Sequence, residues 1–75
     1  MMTLREARPG MKVKIVALAP SELKQRLMSL GLIKDTIVEV LRPAPLGDPM
    51  AIALRSYKLS LRLEDAEKIE VRVAE

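Results

Sequence analysis

Five short runs of this chain read as strands, four of them by residues that alternate in period two, and they follow one another through tight connections. That many short strands cannot make a sandwich of two full sheets, whereas a small antiparallel barrel satisfies their edge groups. The first run is Met11 to Leu18, with Val13, Ile15 and Ala17 on one side and Lys12, Lys14 and Val16 on the other. Pro9-Gly10 supplies the turn that fixes its start. Thr36 to Arg42, Met50 to Arg55 and Tyr57 to Leu61 follow as strands, and Ile69, Val71 and Val73 mark a last one. Between residues 43 and 49 three prolines exclude the segment PAPLGDP from any sheet interior and make it the tip of a hairpin.

The period changes once. Leu23, Leu27 and Leu30 recur at helical spacing after Pro20, a good first helical residue, and Gly31 stands where a left-handed stop is expected. The spacing predicts a helix of about three turns. A second helical turn is expected at Glu64-Asp65-Ala66-Glu67, whose acids suit a helix start. The architecture implied is mainly β: an SH3-like barrel of about five short antiparallel strands, with one helix after the first strand closing an end. An OB-like barrel is the alternative. Residues 1–75 read as a single domain, with no internal repeat or linker.

Composition narrows what such a domain can do. A chain of 75 residues buries only about 60% of the surface its unfolded form exposes, so nearly every large apolar residue is needed for the core. It contains neither cysteine nor histidine, which removes thiolate and imidazole ligands and the commonest general base. Ser21, Ser29, Ser56 and Ser60 therefore have no histidine to activate them, and no phosphate-binding glycine loop is present. The reading is that of a non-enzyme with no catalytic residue, no metal ligand set and no bound cofactor. Glu64, Asp65 and Glu67 are the only acidic cluster, and a site made of those oxygens alone would be weak and exposed. No basic leader or uncharged run approaching the roughly 18 residues of a membrane span is found. A cytoplasmic location without membrane insertion is the expectation.

Charge is uneven along the chain. Residues 1–42 carry eight Lys/Arg against four Asp/Glu, while residues 63–75 carry five acids against two bases. A basic front could meet RNA or the ribosome, as some SH3-like barrels do. Tyr57 is however the only aromatic residue, so a base-stacking platform is missing and no nucleic-acid partner is expected.

Three stretches together carry a family resemblance: Arg26-Leu27-Met28-Ser29-Leu30-Gly31-Leu32, then Ala44-Pro45-Leu46-Gly47-Asp48-Pro49, then Tyr57-Lys58-Leu59-Ser60-Leu61-Arg62 followed by Ala66 and Ile69-Glu70-Val71. In this order and spacing they resemble the FeoA family, the ferrous iron transport protein A domains, over about Leu4 to Val73. The resemblance implies an SH3-like fold and a cytosolic accessory role in ferrous iron uptake. The implied partner is FeoB, the membrane transporter with a cytosolic GTP-binding domain, and Fe(II) is its cargo rather than a tightly bound cofactor of this chain. The same domain type also occurs fused to iron- or manganese-dependent repressors of the DtxR kind, but nothing here reads as a DNA-binding module, so a standalone domain is expected. Ser56 departs from the family pattern, which has glycine before the tyrosine, and a positive φ there would cost a serine.

The candidate partner-binding residues lie on the helix and the proline loop: Lys24, Arg26, Leu27, Met28 and Gly31, then Leu46, Gly47, Asp48 and Pro49. Leu46 is apolar at an otherwise polar tip. Alternatively the loop only shapes a hairpin, with Asp48 bonding its own backbone. On a helical wheel Leu23, Leu27 and Leu30 fall within about 60° of one another and face the core, whereas Met28 lies about 140° from Leu23 among polar neighbours. Met28 then covers the N-terminal arm or, with Lys24 and Arg26, docks a partner. An exposed edge strand and this helix leave self-association open.

Overall fold

The computed structural model describes residues 2–42 and 47–74. Its elements run β1 (Met2–Thr3), a 3-10 turn (Leu4–Glu6), β2 (Lys12–Leu18), α1 (Lys24–Ser29), β3 (Ile37–Val40), β4 (Met50–Leu54), β5 (Tyr57–Leu61), α2 (Leu63–Ala66) and β6 (Ile69–Val73). The strands form one antiparallel sheet in the order β1-β6-β2-β3-β4-β5. Among the described residues the hydrogen-bonded order leaves β1 and β5 at its two ends. The fold is mainly β, as expected, with one strand more than the five predicted runs supply. A two-residue strand such as β1 is too short to show a period.

The turns follow from their residues. Met11 N–H donates to Arg8 O at 3.0 Å across Pro9-Gly10, with Gly10 at φ 91°, the signature of a type II turn. The β4–β5 hairpin turns on Arg55-Ser56, between partners Leu54 and Tyr57. Its positive φ, 54°, falls on Arg55 and not on Ser56, so the conformational cost lies one residue earlier than the family pattern suggested.

Core formation follows the period-2 pattern closely on β4, where Met50, Ile52 and Leu54 are buried, and on the first half of β2, where Val13 and Ile15 are fully buried. The second half of β2 differs from expectation. Ile15 pairs with Val71 but Ala17 pairs with Glu70, so one extra residue bulges out at Val16 and the alternation changes phase. Ala17 consequently faces solvent, while Leu18 packs against the core. Leu4, Ala66 and Ile69 close one side, and no polar or charged side chain is buried among the described residues. Each fully buried Leu, Ile or Val contributes roughly 1.5 to 3 kcal/mol by leaving water.

Helix α1 is half as long as the leucine spacing predicts. Ser21 intervenes: its Oγ accepts the Leu23 N–H at 3.2 Å and its carbonyl accepts the Lys24 N–H at 3.2 Å. Residues 20–23 thus form a serine-bonded turn, the local alternative that serine offers a backbone, and the first α-helical bond is Leu27 N–H to Leu23 O.

Candidate docking surface

The C-terminal end of α1 is built to be rigid. Leu32 N–H donates to Leu27 O at 3.1 Å and Gly31 N–H to Met28 O at 3.0 Å, with Gly31 at φ 100°. This is a full Schellman stop, and its accompanying apolar contact is between Leu27 and Leu32, which are 4% and 0% exposed. The Tyr57 hydroxyl on β5 donates to the Leu30 carbonyl, one of the acceptors a helix end leaves free. Helix and sheet edge are therefore joined at this point.

The proline loop is anchored from the other side. Asp48 Oδ1 accepts the N–H of Leu63, the first residue of α2, at 3.1 Å, so the carboxylate ties the loop base to the helix start and does not close a turn on its own backbone. Gly47 is half-buried with φ 84°, and Asp48 and Pro49 are exposed. Leu46 lies outside the described residues.

These supports place the sequence-selected residues in two groups. Arg26 lines a cleft of about 240 Å³ with Leu23, Leu30, Ser60, Arg62 and Asp65. Arg62 also lines the hollow beside Asp48 and Pro49, so the cleft continues to the loop base. Lys24 and Met28 stand on the other side of α1, where they line a second hollow with Ala17, Leu18, Ile33 and Lys34. At 100° per residue Arg26 is about 160° from either of them, which is why one short helix cannot present all three together. Leu27 belongs to the core at 4% exposed and lines the same cleft as Arg26. Gly31 supports the helix end rather than presenting a side chain. Arg62, at the end of the YKLSLR run, lines both the cleft and the hollow beside Asp48, and sequence reasoning does not place it among the candidates.

Two of the three acids of residues 64–67 are engaged singly. Arg5 pairs with Glu67, joining the 3-10 turn to the end of α2, and Arg62 Nη1 lies 3.4 Å from Glu64 Oε1. Among the described residues no three metal-ligating side chains come together, and no helix is long and apolar enough to cross a membrane.

An antiparallel sheet of six short strands with small helices at its ends defines an SH3-like domain. The same fold is seen in the zinc complex of Stenotrophomonas maltophilia FeoA, described as a prokaryotic SH3 domain protein, with a TM-score of 0.83 over 96% of this chain and 91% of that one at 22% identity. The FeoA domain model matches residues 2–73, and the chain belongs to the FeoA family. A solution structure of FeoA from Chlorobium tepidum is 35% identical, with a TM-score of 0.91 over 99% of this chain and 71% of that one. A Campylobacter jejuni protein described as a candidate Fe(2+) transport protein A is 36% identical over 73 residues, covering 96% of this chain and 99% of its own length. A Porphyromonas gingivalis protein, an Fe(2+) transport protein A/Fe(2+) transporter FeoB fusion, is 34% identical over 73 residues. This chain spans 96% of its own length in that match and 9% of the fusion protein.

Proposed function

We propose that this domain is a cytoplasmic accessory protein of ferrous iron uptake that docks on the cytosolic part of a FeoB transporter and acts through that contact, not through catalysis. The observation that carries the reading is the Porphyromonas gingivalis fusion, in which a similar domain and a FeoB share one polypeptide. Covalent linkage holds two modules at an effective concentration up to millimolar, so a separate domain needs a surface of its own to reach the same partner. The cleft between α1 and β5, continued by Arg62 to Asp48 and Pro49, fits that need. Its walls are joined by the Tyr57–Leu30 and Asp48–Leu63 hydrogen bonds, so binding there would order little further backbone. Ferrous iron is the transporter's cargo in this reading, and the domain biases assembly or the transport cycle.

Capture of the protein by the purified cytosolic part of FeoB tests the proposal. Arg26→Glu, Arg62→Glu and Leu46→Asp, each verified as folded, are expected to weaken capture at least tenfold. Undiminished capture of all three variants would put the contact elsewhere.

A further inference from the structure

A second face of the molecule lies outside the proposed cleft. Lys34 belongs both to the hollow with Lys24, Met28 and Ile33 and to one with Lys14, Val16, Asp35 and Arg72. Lys14 is paired with Ile37 across β2 and β3, so Ile37 projects from the same side of the sheet. The face therefore joins four cations to Met28, Ile33 and Ile37, which are 39%, 37% and 44% exposed and are three of the five large apolar side chains exposed among the described residues. The residues lining the two hollows include these four cations and one carboxylate, Asp35. Glu39, two residues from Ile37 and cross-strand partner of Lys12, and Glu70, two residues from Arg72 and cross-strand partner of Ala17, border it.

One arrangement on this face works against folding. Lys14 and Arg72 are direct cross-strand partners on β2 and β6. Like charges in that position destabilise a sheet, and among the described residues neither is in an ion pair. Exposed apolar side chains set among unneutralised cations are the composition of a surface that lies on an anionic bilayer, with aliphatic side chains at the acyl boundary and cations at the headgroups. Three of the four cations are lysines, point charges suited to a diffuse anionic surface rather than to the bidentate geometry of a protein carboxylate. Tyr57 is not on this face, so nothing there stacks on a base.

The geometry points to the face formed by Lys14, Lys24, Lys34 and Arg72 around Met28, Ile33 and Ile37 as a docking surface for an anionic lipid bilayer. This does not depend on the FeoB reading, because the bilayer is itself the partner. It is tested by sedimentation with vesicles of phosphatidylcholine alone and with about one third phosphatidylglycerol, near physiological salt. Binding to the anionic vesicles only is expected. Lys14→Glu/Lys34→Glu should weaken it more than tenfold and Met28→Ser/Ile33→Ser severalfold, whereas Lys58→Glu, an exposed charge on β5, should change it by less than about twofold. Folding of each variant is checked by its thermal melt.

No binding to anionic vesicles overturns the inference. So does an equal loss in the Lys58 variant, which would make the effect one of total charge. Retention on immobilised RNA that Lys14→Glu/Lys34→Glu abolishes, without vesicle binding, assigns the face to nucleic acid instead. Capture by the FeoB cytosolic part that is lost in the same variant, again without vesicle binding, assigns it to a protein. Vesicle binding with failed FeoB capture would leave this inference standing and remove the proposed function.

Discussion

A β-carbon added at Gly31 would lie 3.0 Å from the Tyr57 hydroxyl oxygen, the same hydroxyl that bonds Leu30. The backbone turn that ends α1 and the aromatic side chain that begins β5 thus depend on one another. Gly31→Ala must adopt φ 100° and also displace Tyr57, and is expected to cost about 1 to 3 kcal/mol. Tyr57→Phe, which loses only the hydrogen bond, should cost about 0.5 to 1.5 kcal/mol. Urea unfolding of both single variants and the double variant checks this, and the double variant should be more stable than the sum predicts.

Asp48 holds the loop base to α2 through a single bond to Leu63 N–H. Asp48→Ala is expected to lower stability by about 1 kcal/mol, the usual loss when a helix start forfeits its side-chain acceptor. Hydrogen exchange at the Leu63 amide should accelerate, and Asp48→Asn should restore most of its protection.

Arg55 is held at φ 54° in the two-residue turn between β4 and β5. Arg55→Gly relieves about 1 kcal/mol of left-handed strain and loses part of that to the greater freedom of the unfolded chain. A small net rise in melting temperature is expected, while Ser56→Gly, where no positive φ is needed, should lower it.

The Lys14–Arg72 pairing predicts a separation of stability from binding. Lys14→Glu turns repulsion into attraction across β2 and β6 and should raise stability by about 0.2 to 1 kcal/mol while weakening attachment to anionic vesicles. A thermal melt and a sedimentation assay on the same preparation measure both.

Much of this molecule is determined locally. Strict alternation on Met50, Ile52 and Leu54 can bury only one face of a strand, and Leu27-x-x-x-Gly31 can end a helix in only a few ways, so these features follow from sequence. The resemblance carried by the helix, loop and YKLSLR segments led to the family that the full-length comparisons show. Tertiary contacts decided the rest. The bulge at Val16 belongs to the ladder between β2 and β6, where Ile15 meets Val71 and Ala17 meets Glu70, and the alternation of β2 alone does not encode it. The meeting of Arg26 with Arg62 and the turning of Asp48 toward Leu63 depend on how distant segments pack. Sequence spacing sets the face of a single element, but which faces adjoin is a long-range property set by how the sheet and its helices pack around the core.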